Sequence, residues 1–156
     1  MQGREFDNDV NEIIGRMVEE FTAVRDRGTA GGCCPVRPRP GASLSSIEEL
    51  EKLLRDCRVV FLNLYSPMCP YCELFQPIFT RVGSKYLGAA AFVKIDVWRF
   101  PEVAWSLGIS STPATVVFVD GRPVDALVGY VPPHVFEHFV LRILRRSRCL
   151  AEEEAA

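Results

Sequence analysis

The chain has 156 residues, 48% of them hydrophobic, and a formal net charge of -2. This length favours one domain with a single hydrophobic core and room for an appendage. The basic residues are spread along the chain, which argues against a surface for nucleic acid or an anionic membrane. The acidic N-terminus does not have the pattern of a signal peptide, and no apolar run approaches membrane-spanning length. We therefore expect a cytoplasmic protein.

The first predicted element is an amphipathic helix within residues 1–27. Apolar residues recur at spacings of three and four from Phe6 to Val24, with charged residues between them. Residues 28–44 are rich in Gly and Pro, which predicts a linker. The helix should pack on the protein's own body, and a partner site or a homodimer interface is the alternative left open.

The next residues, 45–150, are predicted to form one α/β domain, followed by an acidic tail at 151–156. After a short capped helix, the run RVVFLNLY predicts a strand that is covered on both faces. A helix from about Cys72 to Tyr86 leads to a second buried strand in AAAFVKIDV. A right-handed crossover between these two strands makes them parallel.

The second half of the domain predicts a short helix, a hairpin and a final helix. The segment PEVAWSLG begins at Pro101 and is stopped by Gly108. Two apolar runs joined by Asp120-Gly121 carry a strong hairpin signal, and Pro123 places the second run at a sheet edge. The last helix begins in PPHVFEHF. Together these elements predict a mixed central sheet flanked by helices.

Two cysteines, Cys69 and Cys72, lie where the first buried strand should turn into a helix. Catalytic and ligand sites of open α/β sheets gather at this edge. A helix N-terminus favours a thiolate, so Cys69 should have a lowered pKa and act as the nucleophile. Cys72, one turn later, can then attack the mixed disulfide, and Pro70 pre-sets the first helical turn. The pattern predicts a redox-active pair, and a structural disulfide or two inert buried thiols is the alternative.

Several linked motifs over residues 45–148 resemble the thioredoxin family. They are VVFLNLYSPMCPYC, Pro77 in the following helix, VKID, GISSTPATVVFVDG and VGY. The resemblance implies the thioredoxin fold, with Cys69 as the attacking and Cys72 as the resolving cysteine. Thr112-Pro113, whose proline comes 41 residues after Cys72, resembles the family's cis-proline loop. That loop offers backbone groups to an extended substrate segment.

The residues around the two cysteines depart from the thioredoxin pattern. Pro70 and Tyr71 form the dipeptide typical of glutaredoxins, although their glutathione-binding Gly-Gly-x-Asp segment has no counterpart here. Met68 stands where thioredoxins have a tryptophan, which alters part of the docking surface for substrates. Glutathione dependence is therefore the alternative rather than the main expectation.

The position that carries a buried aspartate in thioredoxins, six residues before Cys69, is Asn63 in this chain. The lysine partner of that aspartate aligns with Phe92. Because an amide does not titrate, Asn63 cannot accept the proton of Cys72. The adjacent Glu73 or water is left as the proton acceptor, and slower resolution or a more oxidising couple is expected.

The resemblance implies a thiol-disulfide oxidoreductase that acts on protein disulfides and needs no bound cofactor. A thioredoxin-reductase-type donor would restore its dithiol. Disulfide isomerase or oxidase activity is one alternative. Another is an interaction module without redox function, with the N-terminal helix as its partner site. No metal site is expected, because Cys33 and Cys34 are adjacent and His134 and His138 read as solvated. An iron-sulfur cluster between two protomers is the remaining alternative.

The other four cysteines, at positions 33, 34, 57 and 149, are expected to be ordinary thiols. A disulfide between Cys57 and Cys149 is left open, as is an auxiliary role for Cys33-Cys34 on a flexible arm. Arginine far outnumbers lysine, and Asn and Gln are rare, which is a hint of a thermophilic source. The hint bears on these cysteines, because hyperthermophiles are the exception to reduced thiols in the cytosol.

Overall fold

The computed structural model describes residues 32–150, so the predicted N-terminal helix and the acidic tail lie outside the described residues. Its elements are β1 (Ala42–Ser43), α1 (Ile47–Asp56), β2 (Val59–Tyr65), α2 (Pro70–Lys85), β3 (Ala91–Asp96), α3 (Pro101–Leu107), β4 (Ala114–Val119), β5 (Arg122–Val128) and α4 (Pro133–Arg146). Every helix and strand predicted within residues 45–150 is present, and β1 was not predicted. None of the helices in this part of the chain has the length and apolarity needed to cross a membrane.

The strands form one mixed sheet in the order β1-β3-β2-β4-β5. The predicted parallel pairing of β2 with β3 is confirmed, and β4 runs antiparallel to both β2 and β5. The hairpin turn has positive φ at Asp120 (52°) and Gly121 (79°), which is the geometry of a type I′ turn. Pro123 lies on the edge strand β5, where its missing N–H interrupts no internal ladder.

The sheet has an apolar core on each face, and β2 is therefore buried along nearly its whole length. One face packs against α1 and α3, with Leu62 of β2 among its buried residues. The other face packs against α2 and α4 and is rich in phenylalanine. There the Phe61 and Phe92 rings stack with centroids 4.8 Å apart, and Phe79 meets Phe92 edge to face at 5.7 Å. This packing fixes α2 across the sheet with its N-terminus at the end of β2.

The described part of the predicted linker, residues 32–44, is held against the domain. Its residues Ala42 and Ser43 form β1 beside β3. The backbone N–H of Cys34 donates to the carbonyl of Gly88 at 2.9 Å, and that of Arg58 donates to the carbonyl of Cys33 at 2.8 Å. The chain therefore reaches α1 along the surface of the domain.

The expectation that the four outer cysteines are ordinary thiols is wrong. Cys33 is bonded to Cys149 and Cys34 to Cys57, with Cα–Cα distances of 5.6 and 4.2 Å. The Cys57–Cys149 disulfide that was left open is therefore also wrong, as is the flexible arm. The physical reason is that the two adjacent side chains enter different cores, Cys33 beside α4 and Cys34 beside α1. Sequence spacing alone does not determine disulfide connectivity.

Candidate active site

The Cys69-Cys72 pair lies at the C-terminal end of β2, where α2 begins. Cys69 is the N-cap residue of α2, and the backbone N–H of Cys72 donates to its Sγ atom at 3.2 Å. Pro70 takes the first helical position, where a missing N–H costs nothing. The two cysteines are joined by a disulfide, with Cα atoms 5.2 Å apart. Cys69 is half-buried and Cys72 is buried, so an external sulfur can reach Cys69 first.

The predicted proline loop lies directly against Cys69. The Thr112-Pro113 peptide bond is cis, and β4 begins at the next residue. The hydroxyl Oγ1 of Thr112 is 3.6 Å from the Cys69 Sγ atom, and the Thr112 carbonyl oxygen is 3.7 Å from it. The Pro113 carbonyl accepts a hydrogen bond from the N–H of Gly129 at 2.7 Å, which ties the loop to the end of β5. The fold thus brings together residues that are more than forty positions apart in the chain.

Ser66 also belongs to this site, and the sequence reasoning missed it. Its Oγ atom is 3.0 Å from Oγ1 of Thr112, so the loop after β2 and the proline loop are joined by a hydrogen bond. The available signal was its place between the end of β2 and Cys69. A serine in that loop has no distinctive spacing, so the sequence does not predict its role.

A network of uncharged polar side chains lies beneath the first turns of α2. Asn63 is fully buried, and its Nδ2 donates to Oγ1 of Thr115 at 3.2 Å and to the Ala114 carbonyl at 3.5 Å. Its Oδ1 accepts from Nε2 of Gln76 at 2.9 Å. Both amide hydrogens and the carbonyl oxygen of Asn63 are therefore paired, as a buried amide requires. Gln76 was not predicted from the sequence, where its local signal is that it follows Cys72 by one helical turn.

The two other residues raised by the sequence around this network lie apart from it. Phe92 stacks in the core between α2, α4 and the sheet, so no charged side chain occupies its place. Glu73 is exposed on the surface of α2. The described surroundings of Asn63 thus contain amide and hydroxyl groups rather than a carboxylate.

The rim of the site is apolar and exposed. Met68 has 86% of its surface exposed, and Tyr71 and Leu74 are exposed beside it on the first turns of α2. Pro70 is exposed between Met68 and Tyr71. Their contact with substrate remains a prediction. Exposed apolar groups clustered at a reactive atom are typical of a protein-binding surface.

Metal ligands are not assembled in the described part of the chain. His134 and His138 are both exposed on α4. Within residues 32–150, no group of three or more His, Cys, Asp or Glu side chains is arranged to hold a metal ion. All six cysteines are paired in disulfides.

A CxxC disulfide at the start of a helix, facing a cis-proline across the end of a mixed sheet, defines the class of thioredoxin-fold domains. The family model described as Thioredoxin matches residues 44–142 of this chain. The chain belongs to the thioredoxin family, and the expected thioredoxin fold is confirmed.

Individual relatives agree with this assignment. Thioredoxin M4, chloroplastic, of Arabidopsis thaliana is 29% identical over 102 residues, which cover 65% of this chain and 53% of that protein. The thioredoxin of Staphylococcus aureus (strain N315) is 32% identical over 74 residues, covering 47% of this chain and 71% of that protein. The chain thus spans about half the length of the first of these relatives.

Solved structures show the same similarity in three dimensions. A mutant thioredoxin from Halobacterium salinarum NRC-1 matches with a TM-score of 0.63 at 25% identity. The match covers 74% of this chain and 95% of that chain. The similarity therefore takes in nearly the whole of the solved thioredoxin.

Proposed function

We propose that the protein is a thiol-disulfide oxidoreductase that reduces protein disulfides with the Cys69 and Cys72 thiols. The observation that carries the proposal is the placement of a reachable Cys69 in front of a buried Cys72, against the Thr112-Pro113 loop. Membership of the thioredoxin family and the CxxC spacing support the same activity. No bound cofactor takes part in the proposed reaction.

The first step is attack by the Cys69 thiolate on one sulfur of the substrate disulfide. In the reduced protein, the N-terminal end of α2 and the N–H of Cys72 favour the thiolate over the thiol. A sulfur-sulfur bond forms between Cys69 and the substrate, and the substrate's own disulfide breaks. The substrate sulfur that leaves takes up a proton and becomes a thiol.

The second step is attack by Cys72 on the Cys69 sulfur. The bond between Cys69 and the substrate breaks, and the second substrate sulfur leaves and is protonated. The protein is then in the disulfide form seen in the structure. Two electrons have passed from the protein to the substrate. A dithiol donor of the thioredoxin-reductase type would return them.

The proton of Cys72 has no acceptor in the amide network below it. Asn63 and Gln76 are neutral at every accessible pH and hold each other by a hydrogen bond. Water is the proton acceptor that we propose, with the exposed Glu73 as the alternative. The rate of the resolving step should then follow the ionisation of Cys72 itself, and Glu73→Gln should leave that rate unchanged if water is the acceptor.

Substrate contact is proposed for the rim and the proline loop. Thr112 and Pro113 would offer backbone groups to an extended substrate segment, and Met68, Pro70 and Tyr71 would contact its side chains. A homodimer through the predicted N-terminal helix stays a proposal, because residues 1–27 lie outside the described part of the chain.

The cellular location also stays a proposal. Buried disulfides at Cys33–Cys149 and Cys34–Cys57 suit either an oxidising compartment or the cytosol of a hyperthermophile. The cytoplasmic location predicted from the sequence therefore fits these disulfides if the predicted thermophilic source is also correct. Growth temperature of the source organism and fractionation of its cells would test both together.

Reduction of insulin by dithiothreitol tests the activity. The wild type should accelerate it, and Cys69→Ser should abolish the acceleration. Cys72→Ser should instead accumulate a mixed disulfide with the substrate that mass spectrometry detects. As a matched control, replacing Cys34 and Cys57 together by alanine should keep the activity at temperatures where that variant is folded. A wild type that does not accelerate insulin reduction would refute the proposal.

A more oxidising role is a second candidate, favoured by the uncharged surroundings of Asn63. The reduction potential of a dithiol depends on how far its reduced form is stabilised. A potential near the thioredoxin value of about -270 mV would favour a reductant, and one near about -120 to -180 mV would favour an oxidase or isomerase. Equilibration of the Cys69-Cys72 pair with glutathione buffers distinguishes the two roles.

A further inference from the structure

A cleft of about 480 Å³ lies beside Cys69, between α3 and the proline loop. The exposed Trp98 and Trp105 line it together with half-buried residues, which include Ser66, Ile109 and Thr112. None of the described residues that line it has an ionisable side chain. The cleft is therefore an uncharged depression next to the reactive disulfide.

The two tryptophans are the only ones in the chain, and both are on the surface. Trp98 is 63% exposed and Trp105 is 54% exposed. The backbone N–H of Trp98 donates to Oδ1 of Asp96 at 2.8 Å, so the turn that presents Trp98 is held in place. Large rigid aromatic side chains at the surface are the residues that most often anchor a bound protein.

The cleft is continuous with the surroundings of the Cys69 sulfur. Thr112 lines the cleft and is also 3.6 Å from Sγ of Cys69 through its hydroxyl. Ser66 lines it as well and is hydrogen-bonded to Thr112. A polypeptide joined to Cys69 advances about 3.3 to 3.6 Å per residue when extended. Residues near the reacting cysteine of a substrate therefore come within reach of the cleft.

We infer that this cleft is a specificity pocket for a large apolar side chain, such as phenylalanine or leucine, close in sequence to the reacting cysteine of a protein substrate. The inference rests on the proposed function and adds the kind of substrate that the site prefers. An acidic or basic side chain would lose hydration there, and no described residue of the lining carries an opposite charge to compensate. An apolar side chain would instead bury its surface against the two indole rings.

Two symmetric peptide disulfides test this preference. Each consists of two identical single-cysteine peptides joined through their cysteines, so attack on either sulfur is equivalent. One peptide carries phenylalanine two residues before and two residues after the cysteine, and the other carries serine at both places. The ratio of their kcat/KM values, with dithiothreitol as the electron donor, is the measured quantity.

The wild type should prefer the phenylalanine peptide by about tenfold, which corresponds to about 1.4 kcal/mol. Trp98→Ser combined with Trp105→Ser should bring this ratio close to one, and each single variant should lower it to about threefold. Val124→Ser is the matched control. Val124 is 53% exposed near the other end of the sheet, and its replacement should leave the tenfold ratio in place.

Several outcomes would overturn the inference. A wild-type ratio near one would do so, and so would a ratio that stays tenfold in both single tryptophan variants, which change exposed residues and should fold. A wild type that reduces neither peptide and does not reduce hydroxyethyl disulfide would refute the proposed function itself. A wild type that reduces hydroxyethyl disulfide and both peptides equally well would refute only the specificity pocket.

Discussion

The two ends of the central strand β2 carry cysteines in opposite settings. After its C-terminal end, Cys69 is half-buried and bonded to a residue three positions away. Before its N-terminal end, Cys57 is fully buried and bonded to Cys34, with Cys33–Cys149 nearby. We call the first the active-site end and the second the clamped end. A disulfide is thus open to thiol-disulfide exchange at the active-site end, whereas the disulfides at the clamped end are protected from it.

The length of β2 keeps the reactive Cys69–Cys72 disulfide apart from the disulfides of the clamped end. The seven residues of β2 span roughly 20 Å at the usual rise of a strand. Thiol-disulfide exchange needs direct approach of a thiolate to a sulfur, so a substrate at Cys69 does not reach the buried bonds. Burial therefore keeps the two outer disulfides out of the exchange reaction, while the half-buried Cys69 at the start of α2 is open to it.

The largest expected effect on stability comes from removing a disulfide at the clamped end. Replacing Cys33 and Cys149 together by alanine should lower the free energy of unfolding by roughly 5 kcal/mol, because their disulfide spans 116 residues of sequence. Replacing Cys34 and Cys57 together should lower it by roughly 3 kcal/mol, since that separation is only 23 residues. Urea unfolding of the oxidised proteins measures both.

The control for these variants is the active-site end. Replacing Cys69 and Cys72 by alanine removes a disulfide that closes a much shorter loop, so it should cost less stability than either clamp while removing all activity. If this variant loses as much stability as the variant without Cys33 and Cys149, the contrast between the two ends is wrong.

An intermediate effect is expected from the amide network at the active-site end. Gln76→Leu leaves Oδ1 of the buried Asn63 without its described donor, which should cost about 1 to 3 kcal/mol of unfolding free energy. Arg81→Leu changes an exposed residue of the same helix and should stay within about 0.5 kcal/mol. Chemical denaturation of both variants gives the difference. Equal losses in the two variants would show that the network does not stabilise α2.

The smallest expected effect concerns the far end of α2, where Tyr86 donates to Oε2 of Glu137 at 2.7 Å. That hydrogen bond, together with Lys85, lowers the pKa of Glu137 below its usual value. Burial and the contact with Glu137 raise the pKa of Tyr86 to about 12. The carboxylate contribution to stability is therefore present above the unfolded pKa of Glu137 and lost as the pH falls through its folded pKa. The phenol contribution is present below pH 10 and lost as the pH rises through about 12.

Tyr86→Phe should accordingly lower the free energy of unfolding by about 0.5 to 1 kcal/mol at pH 7. The difference from the wild type should shrink below about pH 4.5, as Glu137 becomes protonated. Tyr71→Phe, at an exposed phenol, is the control for stability. Urea unfolding at pH 7 and pH 3 makes the comparison. A difference that is equal at both pH values would show that Glu137 is not the partner that matters.

The sequence predicted the active-site end more completely than the clamped end. The apolar run of β2, the CxxC pair at its end and Pro113 in a Thr-Pro loop are local patterns, and the structure places them as expected. Each of these patterns can be recognised without knowing how the chain packs. Gln76 and Ser66 were not predicted, because their roles depend on which strands and loops lie opposite them.

The sequence by itself determined the order of helices and strands, the edge position of β5 and the position of the cysteine pair, because periodicity, proline and turn residues act over a few neighbouring positions. Only the tertiary structure decided that Cys33 joins Cys149 and Cys34 joins Cys57. Cys33 and Cys34 enter the two different cores of the domain, and which partner each one meets depends on the packing of α1 and α4 against the sheet. Which distant cysteines form a disulfide depends on the folded core, and no local pattern in the sequence predicts it.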